Sequence, residues 1–349
     1  MKKRVLLFGA DGYDNVSVNM ERAFRAIGHD AERFYYPPQA ENKVSFLYRV
    51  LLRTPFQSKA LRFFEDYKRN LGERYISKIK EYKPDLIFII HFSSITGEQI
   101  RYITQTLGIP VAWWVMGDES LVSRYTPFSV DTYTFCTHLM MADISWLSTF
   151  RLLGDAKISR LPFAADTHLY MPLRREKKFD VSIIGNFSYN VSAVIQRIRI
   201  VERLCRDDFH VHAVAKGARQ FFDRYPELRK LDLVDEFYLA PQVNEVYNQS
   251  QVILGINSPQ AKSDPHVRVM EIAASGGFQI AEFRENTNEL MEGTVVQFES
   301  LGELSELTAF YLAHETERKK SAHRAHELVL KKHTTTIRAR QVIKEVFGL

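Results

Sequence analysis

The sequence predicts an α/β protein of two consecutive units, each a parallel sheet flanked by helices. Three observations carry that prediction. Short, continuous apolar runs recur along the chain, each followed by a polar or glycine loop and a helical pattern; such runs suit strands buried on both faces of a parallel sheet. The pattern stops at a basic stretch, residues 173–178, and then restarts. The chain has 349 residues, 45% hydrophobic and 26% charged, an ordinary soluble composition with room for two cores.

Taken in order, Val5-Leu6-Leu7-Phe8 is the first strand and Gly9-Ala10-Asp11-Gly12 its loop. Residues 19–27 follow as a helix that Gly28 closes, and 31–35 as the second strand. The loop lacks the G-x-G-x-x-G spacing of a dinucleotide fingerprint, which disfavours a hydride-transferring dehydrogenase. Residues 42–83 are helical in pattern and basic, with eleven Lys and Arg opposed by Glu65, Asp66, Glu73, Glu81 and the preceding Glu41. The plain meaning of such a stretch is a solvated helix face; the sharper one is a surface, over 42–83, that lies on an anionic membrane.

Leu86-Ile87-Phe88-Ile89-Ile90 is a buried strand ending at His91, and 97–107 a helix ending at Gly108. Residues 110–115 form a strand ending at Gly117-Asp118-Glu119, with Trp113-Trp114 read as core. Ligands in open α/β sheets gather beyond the carboxyl ends of strands, which makes His91 and Asp118 site candidates. Residues 132–139 read as another strand and 161–166 as a short extended piece, closing at Met171-Pro172.

In the second unit, 179–184 is a strand leading into Gly185-Asn186-Phe187-Ser188 and a helix. Residues 211–215 are a strand, 234–239 lead to Ala240-Pro241, 243–250 form a short helix, and 252–257 a buried strand ending in Asn257 and Ser258. Residues 292–298 are strand-like and 301–346 mostly helical. The expected division is a first domain over 1–172, a second over 173–332, and a terminal helix, 333–349, that packs back on the first. The cleft between two such domains is the default ligand site.

A formal net charge of +5 permits anionic ligands or an anionic membrane surface and does not call for nucleic acid. Cys136 and Cys205 stand far apart with no metal-ligand spacing, which excludes a disulfide framework and fits a reducing compartment. The amino-terminal apolar run is too short for a signal peptide, and no stretch reaches the roughly 18 apolar residues of a membrane span. The expected location is the cytoplasm, with peripheral attachment to the inner face of the membrane through 42–83 as the sharper expectation.

The densest chemistry lies in His266-Val267-Arg268-Val269-Met270-Glu271, which runs through Ser275-Gly276-Gly277 into an apolar strand at 278–281. Gly276 and Gly277 supply the left-handed residue that stops a helix. Arg268 and Glu271 are three apart and share a helix face. Beside two strand ends, such a pair can place a guanidinium on phosphate and a carboxylate on ribose hydroxyls; its plain alternative is a surface ion pair.

With these pieces in this order, the chain resembles nucleotide-sugar glycosyltransferases of the GT-B fold, two facing Rossmann-like domains with an inter-domain cleft. More narrowly it resembles the spore-maturation (CgeB-type) glycosyltransferase family. The matching pieces are Leu161-Pro162-Phe163-Ala164-Ala165-Asp166, Asp180-Val181-Ser182-Ile183-Ile184-Gly185, Ile253-Leu254-Gly255-Ile256-Asn257, Arg268-Val269-Met270-Glu271 through Gly276-Gly277, and the tail with His333-Thr334 and Arg338. The resemblance implies that Glu271 grips the donor's ribose, that Arg268 lies near its diphosphate, and that Gly185 and Asn186 line a phosphate-facing loop. His266, Asn257, Ser258, Gly276 and Gly277 complete the expected donor site. Gly9, Asp11 and Gly12 form the acceptor-side loop, and Asp118 with His91 the expected catalytic pair. Many retaining enzymes of this fold carry a partner glutamate eight positions before the carboxylate. Here Ser263 stands there, with Asp264 one residue off, so inversion and retention both stay open.

No Asp-x-Asp motif occurs, so the expected enzyme is metal-independent, its leaving diphosphate held by arginine, backbone amides and a helix N-terminus. No metal site and no cofactor are expected; the nucleotide sugar is a substrate. The expected acceptor is a sugar, a lipid-linked molecule or a surface polymer. His91, His138 and His266 are the histidines read into the cleft. Two rival functions stay open: a nucleotide-sugar epimerase of the same fold, and a non-catalytic sugar-nucleotide or polysaccharide-binding protein, which the missing partner glutamate keeps open.

Overall fold

The computed structural model describes residues 1–9, 15–35, 57–90, 95–116, 127–188, 194–257 and 261–349. The chain divides into two compact units, one of Met1–Leu161 with Arg338–Leu349, the other of Pro162–Ile337. Among the described residues no helix is long and apolar enough to cross a membrane.

The first unit runs β1 (Arg4–Phe8), α1 (Val16–Ala26), β2 (Asp30–Phe34), α2 (Gln57–Tyr82), β3 (Leu86–Ile90), α3 (Gly97–Arg101), β4 (Val111–Val115), α4 (Pro127–Thr134), β5 (His138–Met141), α5 (Leu147–Phe150) and β6 (Lys157–Arg160). Its six strands lie in the order β2-β1-β3-β4-β5-β6, all parallel. The central strands β3 and β4 are buried along their whole length, which is why they read as unbroken apolar runs. Trp113 and Trp114 belong to this core, and the Trp114 indole donates to the Leu161 carbonyl at 2.8 Å.

The second unit runs β7 (Phe179–Asn186), α6 (Val194–Arg206), β8 (Val211–Lys216), β9 (Asp232–Val234), α7 (Ala240–Gln249), β10 (Ser250–Gly255), α8 (Val267–Ala274), β11 (Gln279–Glu282), α9 (Thr287–Leu290), β12 (Val296–Phe298), α10 (Leu301–Ala313) and α11 (Glu315–Lys332), before α12 (Thr335–Phe347). Its sheet is again six-stranded and parallel, in the order β12-β11-β10-β7-β8-β9. Alternate strand residues feed opposite faces. Val181, Ile183, Val252 and Leu254 pack with α6 and α10 on one face. Ile184 and Ile253 pack with α7, α8 and α11 on the other.

Several expectations change. Residues 132–134 are the end of α4, and the strand begins only at His138. Thr and Tyr favour strands by propensity, but tertiary packing overrides that weak preference: Tyr133 is buried edge-on against Phe150. β6 lies at residues 157–160, ahead of the expected extended piece, and β9 at 232–234. The unit boundary falls earlier than residue 172. Ala165 bridges to Thr334, and the Asn244 side chain both accepts from the Met171 N–H (3.3 Å) and donates to the Met171 carbonyl (3.0 Å), so 162–172 belongs to the second unit.

From Arg338 onward, α12 belongs to the first unit. Arg338, Ala339, Val342 and Ile343 are buried, Gln341 donates to the Arg160 carbonyl at 2.8 Å, and Lys157 pairs with Glu345 at 3.2 Å. Of the basic stretch, 42–56 lies outside the described residues. Within α2, Lys78 pairs with Glu32 at 2.7 Å and Arg69 with Glu98 at 3.2 Å.

Candidate functional site

The site is built at the carboxyl ends of β7, β10 and β11, where parallel topology leaves strand carbonyls and helix starts together. α8 places Arg268 and Glu271 one turn apart, both half-buried. The Arg268 guanidinium turns back onto β7 and donates to the Ile184 carbonyl. Burial works against its charge, but the neighbouring Tyr247 and Glu271 outweigh burial and hold its pKa above the ordinary arginine value. It stays a cation at every physiological pH. Tyr247 is fully buried beside both residues, and burial pushes its phenol up.

Two further arginines join the site that sequence reasoning missed. Arg197, on the first turns of α6, donates to the Asn186 carbonyl at 2.6 Å. Burial, then the nearby Arg268 charge, lowers it to about 10, with Glu282 opposing; it remains charged at neutral pH. Arg284, just past β11, donates to the Ala261 carbonyl at 2.8 Å and pairs with Glu282 at 3.1 Å. Neither arginine belongs to a spaced motif. The one signal in the sequence was position, a charged residue shortly after a strand-like run, and that is too common to single them out.

His266 occupies the N-cap position of α8 and makes no side-chain hydrogen bond to the helix. Its ring packs on Phe163, centroids 5.3 Å apart, and its Nδ1 is buried without a hydrogen-bond partner. Burial first, and then the Arg268, Arg197 and Arg284 charges, depress its pKa to about 3. His266 is therefore neutral at physiological pH and cannot supply positive charge to a ligand.

Asn257 is a brace. Its Oδ1 accepts from the His266 N–H at 2.9 Å, its Nδ2 donates to the Glu282 carbonyl at 2.9 Å, and its own N–H donates to Glu282 Oε2 at 3.2 Å. Both ends of the amide are spent inside the protein. Gly185 and Asn186 end β7, paired with Ala215 and Lys216, and the Asn186 side chain accepts from the Ser188 N–H at 2.9 Å. Asp264 accepts from Asn286 at 2.7 Å and is buried.

Gly276 stops α8 at φ +70°, and Gly277 lies so close to β10 that a Cβ there would meet Ile253 Cδ1 at 2.5 Å. These glycines shape the turn behind the site. At Arg284 an open groove of about 530 Å³ runs along the ends of β11 and β12, lined also by Gln196, Glu282 and Phe283 among others.

In the first unit Gly9 follows β1 and admits Ser17 of α1: a Cβ would meet Ser17 Cβ at 2.5 Å. His138 opens β5 at its amino end, 3.0 Å from the Thr137 hydroxyl. That is the edge opposite to the strand ends where ligands collect, which corrects its reading as a cleft histidine. His91, Asp118, Asp11, Gly12 and Ser258 lie outside the described residues. Among the described residues no group of three or more His, Cys, Asp and Glu could hold a metal ion. Cys136 and Cys205 are free and buried, and burial raises both thiols, Cys205 to about 12.

The arrangement can hold an anion among guanidinium groups, with a carboxylate one helical turn away for hydroxyl groups. The sequence pattern of a glycosyl transferase-like family matches residues 169–344, half of the chain and nearly the whole second unit. No curated protein matches the chain. Among solved structures, sucrose-phosphate synthase from Thermosynechococcus elongatus is similar over 99% of this chain and 100% of its own, at TM-score 0.68 and 12% identity. A UDP-forming alpha,alpha-trehalose-phosphate synthase from Burkholderia xenovorans is similar over 99% and 98%, at 0.69 and 11%. HepE from Anabaena, solved in complex with UDP, is similar over 99% and 100%, at 0.61 and 12%. At these identities the likeness is one of fold, the GT-B fold of two parallel α/β units.

Proposed function

The chain belongs to the glycosyl transferase-like family, and from that premise we propose that it moves a sugar from a nucleoside-diphosphate sugar to an acceptor hydroxyl without a divalent cation. The observation that carries this reading is the meeting of Arg268 and Glu271 with Arg197 and Arg284 at the strand ends of the second unit. Negative charge grows on the diphosphate as the glycosidic bond breaks. Preorganised cations and the uncapped start of α8 stabilise it there without reorganising. Glu271 is the group for the ribose hydroxyls. Asp118 and His91, which follow the fourth and third strands in sequence, are assigned to the acceptor side. The matching pieces named above support a narrower likeness to the CgeB-type group, and HepE's UDP makes uridine diphosphate the first probe.

Calorimetric titration of UDP and other nucleoside diphosphates, in excess chelator, tests the reading. Charge-assisted hydrogen bonds are worth about 1.5–3 kcal/mol each, so Glu271→Ala and Arg268→Ala should each weaken binding by about tenfold or more. Unchanged affinity in both variants, or binding that appears only when magnesium is restored, removes this reading.

A further inference from the structure

The arginine cluster raises a question of release: a site that holds a diphosphate among three guanidinium groups also holds the product. Glu282 is placed to answer it. It is the last residue of β11 and is buried. Its Oε1 accepts from the Gln196 amide and from Arg284 Nη1 (3.1 Å); its Oε2 accepts from the Asn257 N–H at 3.2 Å. The carboxylate is thus fixed from α6, from the end of β10 and from beyond β11, and nothing in its contacts frees it to turn away. The Asn257 that it braces also holds the His266 N–H, the residue before the Arg268 helix. Its charge reaches the cluster directly through Arg284 and at longer range through Arg197, whose charged form it favours.

We propose that Glu282 is a built-in counter-charge of the donor site, a positioning residue whose fixed negative charge offsets the arginine cluster so that the nucleoside diphosphate product leaves. The inference rests on the proposed donor reading of Arg197, Arg268 and Arg284. Coulomb interactions between partly buried charges are weakly screened by salt, so a carboxylate held beside the cluster lowers diphosphate affinity at ordinary ionic strength. Binding substrate and product less tightly costs nothing in the transition state if chemistry strengthens the contacts there.

Glu282→Gln is the test, because a glutamine keeps the shape and removes the charge; with its oxygen in the place of Oε1 it still accepts from Gln196 and Arg284, and only the Asn257 N–H loses its acceptor. UDP affinity by calorimetry should rise about tenfold, and kcat and KM for the donor should fall together. Glu282→Asp, which keeps the charge, should stay within about threefold of the parent in UDP affinity. A merely structural glutamate gives the opposite sign, weaker binding in both variants. Unchanged or weaker UDP binding by a folded Glu282→Gln protein overturns the inference, as does equal tightening in both variants. Should the glutamine variant fail to fold, Glu282→Ser removes the same charge and carries the same expectation. A parent chain that binds no nucleoside diphosphate overturns the donor reading itself, a result distinct from binding that does not tighten.

Discussion

At the scale of single residues the second unit is marked by charge held where water is scarce. His266 shows what that costs. Its pKa falls from 6.5 to about 3 because burial and three arginines oppose its proton. The folded state therefore binds fewer protons than the unfolded chain between those values. Stability from this group is complete above pH 6.5 and is lost progressively as pH falls towards 3. His266→Phe keeps a ring against Phe163 and removes the titration. Denaturant unfolding at pH 7 and pH 5 should show the parent losing more stability than the variant over that interval; equal losses would show that His266 does not carry the linkage. The arginines also mark the limit of sequence reading at this scale. Arg268 and Glu271 were legible because one helix spaces them. Arg197 and Arg284 reach the same place from separate elements, and only the order of strands in the sheet brings them there.

At the scale of elements, what was legible follows from burial. β3, β4, β7 and β10 lie inside their sheets and read as apolar runs. Of the strands that were missed or misplaced, β5 lies inside its sheet, where the preceding helix was read into it, and β6 and β9 lie at sheet edges. The edge sequences, KISR and DLV, carry little apolar signal, because an edge strand need not bury both faces. The stop of α8 was legible for a different reason: its turn needs φ +70° at Gly276 and bare backbone at Gly277. Gly277→Ala forces a methyl into Ile253 and should cost about 1–3 kcal/mol by overpacking. A urea titration should show a lower midpoint with an unchanged slope; an unchanged midpoint would mean that Ile253 yields without cost.

At the scale of the whole molecule, the last residues complete the first unit. All three tryptophans, Trp113, Trp114 and Trp146, lie in that unit, so their fluorescence follows it alone. A chain ending at Ile337 loses the buried Ala339, Val342 and Ile343 and the ion pair of Lys157 with Glu345. Its tryptophan-detected melting should fall by several degrees, while hydrogen exchange of the β7 and β10 amides stays at the parent's rate. Loss of protection in both units would show that they do not unfold separately.

The same connectivity sets an order on the ribosome. Chains ordinarily fold their domains from the amino terminus as each emerges. Here residues 162–337 form one continuous stretch and can close their core as soon as they leave the exit tunnel, whereas the unit that begins at Met1 waits for Arg338–Leu349. Within this chain the first unit thus closes only after residues 162–337 have been added, and until Arg338–Leu349 follow it stands with the place of α12 unfilled.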